Sequence, residues 1–83
     1  MDGIAAQTKQ VLANVEAALS VYGATLADVV KVTAHLQNLA EDFDGFNAAY
    51  REVMVQPYPV RTTVGSDLSS ILVEIDVVAA LPQ

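Results

Sequence analysis

Apolar residues in the first quarter of the chain recur at steps of three and four, the spacing of an amphipathic helix. This pattern predicts a helix over residues 3–22, with Asp2 as its N-cap and Gly23 as a left-handed residue after its end. The apolar stripe consists of Ile4, Val11, Leu12, Val15, Ala18, Leu19 and Tyr22. Thr25 and Asp28 then have capping-box spacing, with Asp in place of the usual Glu, and predict a single helical turn.

The pattern next changes to strict alternation over residues 30–36, where β-branched residues dominate and a half-buried strand is predicted. After a connection over residues 38–41, helical spacing returns, and a second helix is expected to begin at Glu41 or Asp42. Its apolar face consists of Phe43, Phe46, Tyr50, Val53 and Met54. The segment Gln56–Pro59 ends this helix, because proline cannot continue a helix and restricts the residue before it.

Alternation returns over residues 60–65 and 71–78 and predicts two further strands, separated by turn residues over 65–70. Two strands joined by a short polar loop are expected to pair as an antiparallel hairpin. The earlier strand–helix–strand portion predicts a right-handed crossover between parallel strands.

The predicted fold is therefore α+β, in the order helix, strand, helix, strand, strand, within a single domain of residues 1–83. Both helices are expected to pack on one face of a mixed sheet. The opposite face would carry a mixture of apolar and polar side chains, among them Thr33, Leu72, Glu74, Asp76 and Val78. An exposed patch of this kind predicts an interface with another molecule.

Composition strengthens the case for self-association. The 83 residues are 53% hydrophobic and 17% charged, which excludes a disordered chain. Ordering costs about 1.5 kcal/mol per residue, which so small a core barely offsets. With no cysteine and one histidine, disulfides, thiolate metal sites and multi-histidine zinc sites are excluded. No cofactor or metal motif is present, so partner subunits are the expected source of additional stability.

The charge pattern argues against polyanionic partners. The net charge is −6, and the four basic residues Lys9, Lys31, Arg51 and Arg61 are scattered. Nucleic-acid binding requires clustered basic residues, and an acidic protein is repelled by anionic membranes. No apolar run reaches the roughly 18 residues of a membrane span, and the amino terminus lacks signal-peptide character. A soluble cytoplasmic protein is expected.

Three polar residues are candidates for chemistry, each with a simpler alternative. Arg61 follows two prolines in a β-rich stretch, and its planar guanidinium suits a carboxylate; on composition alone an ordinary surface arginine or an intersubunit ion pair is the more common explanation. Glu74 lies between Val73 and Ile75, where a carboxylate can move protons, or it is simply a solvated strand residue. His35 is isolated and is more typical of a structural hydrogen-bond donor than of a catalyst.

Several separated motifs resemble the Rid family of reactive intermediate deaminases, also called the YjgF family. Residues 7–54 resemble the central part of the family. The continuation PYPVRTTVG and then LVEIDVVA resembles its closing signature, Pro-x-Arg-x-x-Val followed by a strand with an (I/V)-E-(I/V) core. The resemblance covers nearly the whole chain, and the motifs agree in order and spacing.

The resemblance implies a chorismate-mutase-like fold, homotrimers with the sheets facing inward, and small-carboxylate ligands in clefts between subunits, without a cofactor. Family enzymes hydrolyse reactive enamines and imines, such as aminoacrylate, to a keto acid and ammonia. By this resemblance Arg61 would clamp the substrate carboxylate with help from the backbone of Thr63. Glu74 would position water or relay a proton, and Asn47, with Tyr50 alongside, would support binding.

One departure leaves the activity open. Family members usually begin with a strand hairpin that supplies a Tyr and a Ser to the pocket, and this sequence opens at what resembles the first helix. The chain is then either a fragment of a longer product or a naturally shortened, truncated version. The alternatives to a deaminase are a non-catalytic member that binds small carboxylates or a protein partner, and an oligomer without a small-molecule site. The endoribonuclease activity sometimes attached to the family has little support from a charge of −6.

Overall fold

The computed structural model describes residues 3–81 and has the predicted order of elements. The elements are α1 (Ile4–Ser20), a short 3-10 turn (Leu26–Asp28), β1 (Val29–Leu36), α2 (Leu39–Val53), β2 (Val60–Gly65) and β3 (Val73–Ala79). No helix within residues 3–81 has the length and apolar character needed to cross a membrane.

Local sequence signals account for the connection between α1 and β1. Gly23 adopts the predicted left-handed conformation, with φ of 74°. The predicted capping box is confirmed, since the Thr25 backbone N–H donates to Asp28 Oδ2 over 2.8 Å and the Ala27 N–H donates to Thr25 Oγ1 over 3.2 Å. At the other end of α1, Gly3 occupies the N-cap position. The predicted cap, Asp2, lies outside the described residues.

Helix α2 begins at Leu39 rather than at Glu41 or Asp42. The backbone N–H of Asp42 donates to the carbonyl of Asn38 over 2.9 Å, which closes the first turn earlier than the apolar spacing indicates. Glu41 and Asp42 therefore lie inside the first turn, where negative charge is favourable beside the helix dipole. The helix ends at Val53, ahead of the proline segment as predicted.

The predicted hairpin between the last two strands is wrong. Strand β1 lies at the centre of a three-stranded sheet, parallel to β2 and antiparallel to β3. The loop of residues 66–72 crosses the end of β1 and is held there by hydrogen bonds that include two between backbone groups: the Ser66 N–H donates to Leu36 O over 2.9 Å, and the Gln37 N–H donates to Leu72 O over 3.0 Å. The chain therefore reaches the far side of β1 before β3 begins. The parallel pairing across the crossover is confirmed.

Both helices pack on one face of the sheet, as predicted. Their contacts with the sheet form one core, whose most deeply buried apolar side chains are Leu12, Val32, Leu36, Phe46 and Val73. Thr8 is completely buried on the same side of α1, one turn before Leu12. Tyr22, the last residue of the predicted apolar stripe, lies beyond the end of α1 and is 70% exposed.

The other side of the sheet is not covered by any element within residues 3–81, and we call it the open face. Its three rows are set by the register: Lys31 lies beside Val60 and Val78, Thr33 beside Thr62 and Asp76, and His35 beside Val64 and Glu74. Apolar and charged side chains are mixed on this face, as the sequence predicts. The side chains of Val60 and Val78 are 69% and 55% exposed.

Candidate functional site

Arg61 lies on the helix-facing side of β2, in register with the buried Val32 of β1. Its guanidinium carbon is above three aromatic rings, 4.6 Å from the centre of Tyr50, 5.3 Å from Phe46 and 5.9 Å from Phe43. These residues follow one another at steps of three and four along α2, so a single helix face supplies the whole aromatic surface. Cation–π attraction therefore holds the guanidinium against α2.

The guanidinium of Arg61 has no acidic partner within residues 3–81. The acid–base contacts there are the ion pair of Lys9 with Glu52, at 2.7 Å, and the contact of the His35 imidazole with Asp76, at 3.6 Å. No hydrogen bond from the Arg61 side chain is formed within the same range. A guanidinium carries five N–H donors in a planar fork. Half-buried and without a carboxylate, this fork is available to a planar anion.

Arg61 opens onto a cleft between α2 and the segment that leads into β2. The cleft has a volume of about 320 Å³, which is near the lower limit for small-molecule sites. It is lined by Asn47, Tyr50, Arg51, Tyr58, Pro59 and Arg61. Two of the four residues expected at the site, Asn47 and Arg61, are thus brought together.

Thr63 and Glu74 are not among the residues that line this cleft. Thr63 follows Arg61 by two positions on the same side of β2, and its Oγ1 is buried without a hydrogen-bond partner in the described chain. Glu74 lies on the open face of β3, with β1 between it and β2. Within one chain, Arg61 and Glu74 therefore occupy opposite faces of the sheet.

Tyr50 contributes a buried phenol to the cleft. The residue is 2% exposed, and its hydroxyl has no hydrogen-bond partner within residues 3–81. Burial raises the pKa of Tyr50 above 10.0, although the charge of Arg61 lowers that pKa in part. The phenol is therefore held neutral, as a hydrogen-bond donor without an acceptor in the described part of the chain.

Tyr58 closes the outer side of the cleft, with its ring centre 6.5 Å from that of Tyr50. Gln56 Nε2 donates to the Tyr58 hydroxyl over 3.3 Å, and the hydroxyl donates to the backbone carbonyl of Arg51 over 3.5 Å. The hydrogen bond with Gln56 lowers the pKa of Tyr58 below 10.0, and interaction with the Arg51 side chain lowers it further. An arginine side chain therefore lowers the pKa of each cleft tyrosine: Arg61 acts on Tyr50, and Arg51 acts on Tyr58.

The sequence did not indicate Arg51, Tyr58 and Pro59 as site residues. The segment around Tyr58 was interpreted only as the end of the second helix. Nothing in the sequence around Arg51 distinguished it from the other basic residues. A signal for Tyr58 was nevertheless present, since an aromatic residue between two prolines is held near the end of α2.

His35 lies away from the cleft and makes structural contacts. Its Nδ1 is 2.8 Å from Ser66 Oγ, and its Nε2 is 3.6 Å from Asp76 Oδ2. The imidazole thus links β1 to β3 and to the loop that crosses the end of β1. This is the structural role expected of a lone histidine.

These features define an α+β protein with two helices on one face of a mixed sheet and a cleft beside α2 that Arg61 lines. The chain belongs to the YjgF/Rid family, since the family model described as Endoribonuclease L-PSP matches residues 1–81. The solved structure of RidA from the Antarctic bacterium Psychrobacter superposes with a TM-score of 0.89 at 32% identity, covering 98% of this chain and 67% of that one.

Two curated relatives illustrate the range of names in the family. A Lactococcus lactis protein named as a regulator, AldR, is 39% identical over 80 residues, covering 94% of this chain and 63% of its own. A 2-iminobutanoate/2-iminopropanoate deaminase of Dermatophagoides farinae is 36% identical over 59 residues, covering 71% of this chain and 45% of its own. The chain therefore spans between about half and two thirds of the length of these relatives.

Proposed function

We propose that this chain carries the carboxylate-binding part of a Rid-type deaminase, which hydrolyses reactive enamines and imines of the aminoacrylate type to a keto acid and ammonia. Family membership and the relative named as an imine deaminase support this reaction class. The observation that carries the proposal is the guanidinium of Arg61, which is held over three aromatic rings without an acidic partner in residues 3–81.

In this proposal Arg61 binds the substrate carboxylate through two parallel hydrogen bonds. The rings beneath the guanidinium exclude water from one side, and a charge-assisted bond is stronger there than in bulk solvent. The amide of Asn47 faces the same cleft and supplies a neutral donor and acceptor for the polar end of the ligand. Thr63 is the next residue on this side of β2, and in this proposal its backbone N–H assists Arg61 in binding the carboxylate.

The reaction adds water to the imine carbon and then breaks the carbon–nitrogen bond, so that a carbonyl forms and ammonia leaves. A group that removes a proton from water and returns one to nitrogen is needed, and we assign this role to Glu74. Because Glu74 lies on the open face of its own chain, a neighbouring copy must supply it to the cleft. The proposed assembly is therefore a homotrimer or another homo-oligomer in which open faces are covered.

Ammonia release from enzymatically generated aminoacrylate tests the proposal. The wild-type chain is expected to accelerate release above the spontaneous rate, and Arg61→Ala to return it to that rate. Lys9→Ala is the matched control, because it also removes one cation, but from an exposed ion pair with Glu52 that does not line the cleft. No acceleration by the wild-type chain would exclude catalysis.

A non-catalytic protein that binds small carboxylates is the second candidate. It is favoured by the position of Glu74 on the opposite face of the sheet from Arg61. Titration calorimetry with a small keto acid separates the two. Arg61-dependent binding without turnover identifies this second function, whereas the absence of binding leaves an oligomer without a small-molecule site.

The structural observations do not favour RNA cleavage, despite the description of the family model. The net charge is −6, and two of the four basic residues lie away from the cleft, Lys9 in an ion pair and Lys31 on the open face. Phosphate-backbone binding requires several clustered cations. RNA cleavage by the wild-type chain that disappears in Arg61→Ala would restore this function.

A further inference from the structure

The cleft beside α2 holds a concentration of positive charge that is unusual for this chain. Two of its four basic residues, Arg51 and Arg61, line the same cavity of about 320 Å³. The remaining lining residues are an asparagine, two tyrosines and a proline, so two arginines and no acidic residue line the cavity. In a protein of net charge −6, this pocket is a local site for anions.

The two arginines differ in their surroundings. Arg61 is partly buried against the aromatic rings of α2, whereas Arg51 is exposed at the rim, in the last turn of the same helix. The acidic neighbour of Arg51 along the chain, Glu52, is paired with Lys9 at 2.7 Å. Within residues 3–81 no carboxylate lies within 4.0 Å of Arg51, so its charge is not neutralised there.

Tyr58 lines the cleft and contacts Arg51. Its hydroxyl lies 3.5 Å from the Arg51 carbonyl, and interaction with the Arg51 side chain is the second cause, after the bond from Gln56, of the lowered pKa of Tyr58. Arg51 therefore lies on the Tyr58 side of the cavity, whereas the Arg61 guanidinium rests on the Tyr50 ring. A ligand in this cavity meets one cation at its inner end and a second at the rim.

We propose that the cleft selects ligands with two carboxylates: the carboxylate beside the reacting carbon binds Arg61, and a distal carboxylate binds Arg51. The inference rests on the proposed function and narrows its substrate class to imines or enamines derived from acidic amino acids. Arg51 is then a specificity-determining residue. A ligand with one carboxylate would leave the Arg51 charge without a partner.

Titration calorimetry with three keto acids of equal chain length tests the proposal. The probes are 2-oxoglutarate, its distal amide 2-oxoglutaramate, and 2-oxopentanoate. For the wild-type chain we expect 2-oxoglutarate to bind about fivefold more tightly than either of the others, the effect of one solvent-exposed ion pair. The advantage should shrink as salt is added, because exposed charges are screened.

Variants separate the two arginines. Arg51→Gln should reduce the affinity for 2-oxoglutarate about fivefold more than the affinity for the two singly charged acids, and Arg51→Lys should restore part of the difference. Arg61→Gln should weaken all three ligands. Lys9→Gln, which removes the same charge outside the cleft, should leave the ratio between ligands unchanged.

The outcomes distinguish this inference from the proposed function. If the wild-type chain binds all three acids with equal affinity, or if Arg51→Gln leaves the preference intact, the inference is wrong and carboxylate binding at Arg61 stands. If the wild-type chain binds none of the three acids, carboxylate binding at Arg61 is wrong and the inference is overturned with it.

Discussion

The guanidinium carbon of Arg61 lies 4.6 Å from the centre of the Tyr50 ring, and neither polar group has a hydrogen-bond partner within residues 3–81. The cation is stabilised by the face of the ring, while the neutral hydroxyl lies at the edge of the same ring. Within residues 3–81 the pair thus combines a cation that lacks an anionic partner with a buried hydroxyl that lacks an acceptor.

Replacing Arg61 by lysine tests whether the fork, and not only the charge, binds the ligand. Lysine keeps the positive charge but presents a point charge instead of two parallel N–H groups. We expect Arg61→Lys to weaken keto acid binding about tenfold, which corresponds to about 1.4 kcal/mol, as measured by calorimetry. The reverse exchange Lys9→Arg is the control. Wild-type affinity in Arg61→Lys would mean that charge alone is recognised.

Tyr50→Phe tests the unpartnered hydroxyl. A buried hydroxyl without a partner has lost its bonds to water, so its removal should raise the free energy of unfolding by about 1 kcal/mol, measured by urea denaturation without ligand. The same variant should bind a keto acid more weakly if the hydroxyl donates to the ligand. Destabilisation by Tyr50→Phe would show instead that the hydroxyl is bonded in solution.

The two cleft tyrosines should ionise in a defined order. The pKa of Tyr58 is lowered from 10.0, chiefly by the hydrogen bond from Gln56, and that of Tyr50 is raised, chiefly by burial. In a spectrophotometric titration of tyrosinate absorbance, Tyr58→Phe should remove the early part of the curve and Tyr50→Phe the late part. The opposite assignment would place the cleft in a different conformation.

The raised pKa of Tyr50 also predicts a pH dependence of stability. The folded state holds the phenol proton more tightly than the unfolded state does. This difference in proton affinity contributes to the free energy of unfolding: the contribution is complete below the unfolded pKa of 10.0 and is lost as the pH rises through the folded pKa. Urea denaturation on both sides of pH 10.0 should show a steeper loss of stability for the wild type than for Tyr50→Phe. Equal slopes would contradict the burial of this phenol.

Short-range signals predicted the local structure well, because the interacting groups are close in sequence. The Thr25–Asp28 capping box and the left-handed Gly23 each depend on a few consecutive residues. The start of α2 was missed because Asn38, a residue type favoured at N-caps, was assigned to the connection, whereas its backbone carbonyl closes the first turn of the helix.

Long-range pairing could not be predicted in the same way. Alternation identifies β2 and β3 as strands, but it does not tell which neighbour each will have. In the structure the 66–72 loop crosses the end of β1, where it forms hydrogen bonds with Leu36 and Gln37, and this path places β3 on the far side of β1. The site could not be predicted for the same reason, because the position of Arg61 over the aromatic rings depends on the register of β2 beside β1.

The contact between the two helices is tested at Gly45. A Cβ added there would lie 2.8 Å from Ile4 Cγ2, closer than side chains tolerate. We expect Gly45→Ala to lower the free energy of unfolding by about 1 kcal/mol, since overpacking outweighs the gain in helix propensity. In an Ile4→Ala background the same substitution should instead stabilise the protein by about 1 kcal/mol. Identical effects in both backgrounds would show that the helices do not meet here.

The open face provides the test of assembly. If copies associate through it, Val60, which is 69% exposed in the single chain, becomes buried, and Val60→Lys should shift sedimentation towards the monomer because an unpaired charge is costly to bury. Val21→Lys is the matched control, since Val21 is 79% exposed and follows α1, away from the sheet. Both variants should change the stability of an isolated chain by less than about 0.5 kcal/mol. A wild-type chain that sediments as a monomer at every concentration would leave Glu74 without access to the cleft. The catalytic proposal would then be wrong. Carboxylate binding at Arg61 would not be affected, because it needs one chain alone.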